Sequence, residues 1–170
     1  GLKYCVVECG SWWVGDLLWK ADVNFGASWK IKKMSSRMKG LLTKLPSQYF
    51  GESVFIGAST MSRYEIRERQ RNGIDALMWG TDYPHPEGSW PNTVHRLEND
   101  FQDVSIEDTR RLLGLNAIEC YDLDVEGLTE VANRVGPTPE KLNQDPALRT
   151  SPTAKRDARW WFDEYGIEWQ

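Results

Sequence analysis

Three short apolar runs mark the first half of the chain, and each is followed by a stretch with helical spacing of apolar positions. Leu2–Cys9 is rich in β-branched residues and closed by Gly10, which predicts a buried strand. Ser11 is placed to cap a helix over about residues 12–25, in which Trp13, Leu17, Leu18 and Ala21 fall on one face. Val54–Ala58 carries no charge and predicts a second strand. Residues 62–72 are charged and helical in pattern, with Gly73 able to end the helix at positive φ. Ala76–Gly80 predicts a third strand, and Asp82 lies just past its end.

Pro84, Pro86, Gly88 and Pro91 make the next stretch a loop. A helix over about 92–101 follows. Ser105-Ile106-Glu107-Asp108 has the Ser-x-x-Asp form of a capping box, so a helix starts there and runs to about Leu113. Asn116–Tyr121 forms a further turn or short helix, and Val125–Val135 a longer one ended by Gly136-Pro137. Strands that alternate with helices are parallel and joined by crossovers. Uncharged strands of this kind are normally covered on both faces.

Composition narrows the function classes. The chain has 170 residues, 40% hydrophobic and 27% charged, a globular balance for one domain or a large piece of one. The net charge of −4 argues against nucleic acid as a partner. Lys30, Lys32, Lys33, Arg37, Lys39 and Lys44 form a local basic stretch that reads as a solvated helix face. No apolar run is long enough to span a bilayer, and the start, Gly1-Leu2-Lys3-Tyr4, has no leader-like segment. A cytoplasmic location and no membrane partner are the expectation. The three cysteines, Cys5, Cys9 and Cys120, lack the spacing of a disulfide framework and read as small reduced hydrophobes. The nine tryptophans include Trp160, Trp161 and Trp169 near the end, which suit a contact surface.

In parallel α/β folds chemistry sits at the carboxyl ends of strands. The first strand ends in Glu8 and Cys9, the second in Ser59 and Thr60, and the third in Thr81 and Asp82 with His85 just beyond. Two carboxylates and an imidazole suit a divalent metal or a shared proton. Plainer readings stand beside this one. An Asp after a strand often caps a turn through backbone N–H groups. His85, between two prolines, suits a surface, and Glu8 suits an ion pair with an arginine.

Trp79–Pro91, Trp-Gly-Thr-Asp-Tyr-Pro-His-Pro-Glu-Gly-Ser-Trp-Pro, with Ala76-Leu77-Met78 before it, resembles the last strand of the amidohydrolase superfamily. It is most similar to the branch that includes aminocarboxymuconate-semialdehyde decarboxylase. Leu2–Val14 resembles the sixth barrel strand and its turn, Arg110–Tyr121 the helix after the last strand, and Arg134–Pro139 the tail. The resemblance spans about residues 1–142.

The resemblance implies an α/β fold that is the C-terminal part, about three βα units, of a TIM-type (β/α)8 barrel plus C-terminal helices. Residues 1–124 would be the barrel segment and 125–170 a helix and aromatic tail. It implies metal-assisted hydrolysis, or decarboxylation, of a small-molecule substrate with one divalent metal, zinc or manganese. Asp82 would bind that metal or manage a proton, Glu8 would be a second catalytic group, and His85 an outer partner. Trp79, Trp90 and Trp12 would line an apolar pocket, unless they are core.

Two departures qualify this. A full barrel needs roughly 250 residues, and no two histidines here are two apart, so the His-x-His pair of the first strand is absent. Glu8 stands where many members carry histidine. The chain alone is therefore expected to be inactive, partnered by a missing N-terminal half or by itself. The alternative is a non-catalytic α/β interaction or structural subunit derived from the family.

Overall fold

The computed structural model describes residues 1–28 and 41–142. Most of the basic stretch at 30–44 and the aromatic tail lie outside the described residues. Strands β1 (Tyr4–Cys9), β2 (Val54–Ser59) and β3 (Leu77–Gly80) form a parallel sheet in the order β1-β2-β3. The registers set Cys5 beside Phe55, Val6 beside Ile56, and Ile56 beside Leu77. A bulge between Val7 and Cys9 interrupts the first ladder. The alternating mixture of strands and helices matches the α/β expectation and is compatible with part of a TIM-type barrel.

Helix α1 (Val14–Ser28) follows β1 and begins two residues later than its sequence pattern suggests. Ser11 does not cap it with its hydroxyl, which donates instead to Glu65. A 3-10 turn at Pro46–Tyr49 leads into β2. Lys44 pairs with Glu52 and lies 4.6 Å from the Tyr49 ring centre. Helix α2 (Arg63–Arg67) is much shorter than the charged pattern over 62–72, which finishes in irregular turns. Gly73 does adopt the left-handed backbone, φ 78°, before a 3-10 turn at Ile74–Ala76.

After β3 come α3 (Thr93–Asp100) and α4 (Ile106–Arg110). The Ser105 side chain accepts from the Asp108 N–H at 3.1 Å, as the capping pattern predicts. A single π-type turn at Arg111–Leu115 joins α4 to α5 (Asn116–Tyr121). Helices α6 (Val125–Val135) and α7 (Pro139–Leu142) complete the described chain.

The two sheet faces are covered differently. Ile56, Ala58 and Leu77 face the helical layer and pack with Val14, Ile66, Leu97, Phe101 and Leu112. Phe55 and Met78 point the other way, where Cys120 of α5 and half-buried Cys5 cover them. Coverage on both faces thus holds for β2 but not for β1, whose Tyr4 and Val7 are exposed. Asn116, fully buried, donates from Nδ2 to the carbonyls of Ile74 and Leu77, both at 2.7 Å, and so pins α5 to the start of β3.

Candidate functional site

Within two residues of the carboxyl end of each strand lies a residue other than glycine with positive φ. Glu8 has φ 56°, Thr60 φ 46° and Asp82 φ 61°. Left-handed backbone costs such residues of order 1–3 kcal/mol each, and it concentrates at functional sites. Thr60 is the most unusual of the three because its branched Cβ crowds the backbone there. Three of the four such residues described lie on one rim of the sheet, the rim where parallel α/β folds place their chemistry, and the fourth, Asp122, ends the helix Asn116–Tyr121.

Buried ionic contacts hold this rim. The Glu65 carboxylate, nearly inaccessible, spans the loops after β1 and β2. Its Oε1 accepts from the Ser11 N–H and hydroxyl, at 2.5 and 3.1 Å. Its Oε2 accepts from the Ser62 N–H and hydroxyl, at 2.9 and 2.8 Å. Arg96 of α3 donates to the Thr60 carbonyl at 2.8 Å and pairs with Asp100 at 3.3 Å. Burial pushes the Asp100 carboxyl above its ordinary range, while Arg96 and Asn99 pull it back. Glu65 therefore ties the ends of β1 and β2 together, and Arg96 ties the end of β2 to the helix after β3.

The loop from Thr81 to Ser89 closes on its own backbone. His85 N–H donates to the Asp82 carbonyl at 2.8 Å, Gly88 N–H to the His85 carbonyl at 3.0 Å, and Ser89 N–H to the Thr81 carbonyl at 2.9 Å. A Cβ at Gly88 would meet the carbonyl oxygens of Thr81, Asp82 and His85 within 3.0 Å, so only glycine fits this closure. The peptide bonds Tyr83–Pro84 and Trp90–Pro91 are cis. The side chain that caps the turn is Thr81, whose hydroxyl accepts from the Tyr83 N–H at 3.3 Å. Asp82, half-buried, has no side-chain hydrogen bond or ion pair among the described residues. The turn-capping role that a strand-end Asp often plays falls to Thr81 instead.

Glu8 is exposed at the β1 bulge. Because β2 lies between β1 and β3, the backbones carrying Glu8 and Asp82 are two strand spacings, about 10 Å, apart. His85 is half-exposed, with its Nδ1 3.9 Å from Glu87. Trp79 packs against the helical core. Trp12 and Trp90 are 64% and 68% exposed, so they are not core, and Trp90 meets the exposed Tyr83 edge to face at 5.9 Å. Among the described residues no group of three or more His, Cys, Asp or Glu gathers to hold a metal ion. One unengaged carboxylate does not make a metal site, so these residues alone do not fit the metal that the resemblance implies.

Sequence reasoning missed Glu65 and Arg96. Ser62 and Glu65 do form a capping box, which was readable in the Ser-x-x-Glu pattern. Their bonds to Ser11 and Thr60 span 54 and 36 residues and left no local signal.

Among the described residues no helix is long and apolar enough to cross a membrane. No curated protein matches the chain. The family model described as Amidohydrolase matches residues 1–123, the span that holds all three strands and the strained rim, and the chain belongs to the amidohydrolase family.

Proposed function

We propose that this chain is the carboxyl-terminal portion of a metal-dependent amidohydrolase-type enzyme, and that Asp82 is its metal-ligating or proton-handling carboxylate. The observation that carries the reading is the state of Asp82. It is held in strained backbone at the end of β3, while its carboxylate takes no part in holding the loop. A costly conformation without a structural return is what a preorganised functional group looks like.

The remaining donors for one divalent ion, zinc or manganese, come from barrel elements outside the described residues. The exposed apolar side chains of β1 support this, since a closed barrel covers its strands and leaves no edge. The reaction class is hydrolysis of a C–O or C–N bond, or non-oxidative decarboxylation of a small carboxylated substrate. Glu8 is a second polar group at the rim and His85 an outer one. The chain by itself is inactive.

The second reading, a non-catalytic subunit derived from the family, is favoured by the lack of a three-donor group among the described residues. Elemental analysis of the intact co-purified assembly separates the two. The enzyme reading expects about one metal per site, lost in Asp82→Ala while the assembly stays folded. Metal retained in that variant removes Asp82 from its role, and a metal-free wild-type assembly supports the subunit reading.

A further inference from the structure

At the opposite end of the sheet from Asp82, two of the three cysteines come together. Cys5 is the second residue of β1 and Cys120 lies in α5, 115 positions later. The two pack against Phe55 and Met78 in one apolar cluster. Tyr121, the residue after Cys120, brings the end of α5 against Cys5. The Tyr121 hydroxyl donates to the Cys5 sulfur, at 3.6 Å. Cys5 is half-buried, whereas Cys120 is 7% exposed. The third cysteine stands apart, because Cys9 follows the bulge and packs with the helical layer on the other face.

We propose that Cys5 and Cys120 form a reversible disulfide that latches β1 to α5. The half-exposed Cys5 is the sulfur an external oxidant reaches first, and buried Cys120 is the resolving partner. With a small disulfide such as oxidised glutathione, the Cys5 thiolate attacks one sulfur and releases one glutathione thiolate. The Cys120 thiolate then attacks the Cys5 sulfur of the mixed disulfide and releases the second glutathione. The two cysteines together lose two protons and two electrons, and one glutathione disulfide becomes two thiols.

The Tyr121 phenol, pushed up to about 12 by its bond to Cys5, stays protonated and remains a donor to that sulfur at neutral pH. Cys9 is kept out of the exchange by its place on the opposite face of the sheet, packed with the helical layer. A bond from 5 to 120 would close a loop over most of the family-matched span, and long loops gain most from closure. The inference does not depend on the chemistry assigned to Asp82.

The test uses the full chain in the assembly in which it is isolated. It is incubated with oxidised glutathione, its remaining thiols are alkylated, and the unreduced digest is mapped by mass spectrometry. The expected product is an intrachain Cys5–Cys120 peptide pair that disappears on reduction. Cys9→Ser keeps this pair, and Cys120→Ser accumulates a glutathione adduct on Cys5. Oxidised wild type unfolds at a temperature higher by roughly several degrees. A Cys5–Cys9 pair, a link between two chains, or complete alkylation of all three thiols overturns the proposal. Because wild type itself is mapped, failure of a variant to fold does not shield the idea.

Discussion

The two ends of the β3 strand obey different rules. At its start, Asn116 reaches across from α5 and satisfies two backbone carbonyls, and the neighbouring side chains are buried. At its finish, the backbone turns left-handed at Asp82, the loop satisfies itself, and a carboxylate is left unengaged. The same contrast holds for β2, which begins beside fully buried Phe55 and ends at strained Thr60. One end of the sheet is built for stability, and the other carries strain that clamps outside the strands must hold. Barrel folds show this division in general, with stability at the amino face and chemistry at the carboxyl face.

Substitutions at the two ends should differ in size and in sign. Phe55→Ala opens a cavity beneath α5 and is expected to cost about 3–5 kcal/mol in urea unfolding. A loss near 1 kcal/mol would show that the amino end repacks freely and would blunt the contrast. Asn116→Ala strips the donor from two buried carbonyls and should cost about 2–3 kcal/mol. Full stability in that variant would mean that water replaces the amide and that α5 is held by packing alone. At the other rim, Thr60→Gly removes the left-handed penalty against the chain entropy of glycine, and a gain of up to about 1 kcal/mol is expected. A clear loss there would refute the idea that the carboxyl rim stores strain.

The smallest effect is a pH slope. Burial sets the folded Asp100 carboxyl above its ordinary 3.8. Between 3.8 and that raised value the folded chain binds more protons than the unfolded chain, so stability falls as pH rises through this window. Asp100→Asn is expected to remove that fall from a urea-midpoint profile across mildly acid pH. An unchanged slope would show that the Arg96 pair outweighs desolvation.

The positions of the strands were legible because each is a short apolar run bounded by glycine or polar residues. β1 begins two residues later than its run, since nothing buries Leu2, which is 90% exposed. The start of α4 was legible because Ser105 and Asp108 carry the cap locally. The place of Asp82 after β3 was legible for the same reason. Its freedom from the turn was not, because Thr81 could do the capping as well and only the backbone geometry decides between them. The left-handed turn at Thr60 runs against the preference of a branched residue, so local propensity pointed away from it. Glu65 shows how tertiary structure reuses a local device. Its capping box was written in four residues, but its second oxygen was committed to Ser11 only once the loops met.

The order of the sheet also bears on how the unit assembles. Strand order equals chain order, so each strand docks on the one completed before it and none is inserted between two already paired. The β2–β3 ladder joins Ile56 to Leu77 and the β1–β2 ladder joins Tyr4 to the more distant Val54, so β2–β3 closes the shorter loop and is expected to pair first. The same arrangement makes β2 a single hinge of cooperativity, because β1 and β3 share no ladder. The slowest-exchanging amides should therefore cluster in Val54–Ser59, and local melting of β2 would at once decouple the Glu8 end from the Asp82 end.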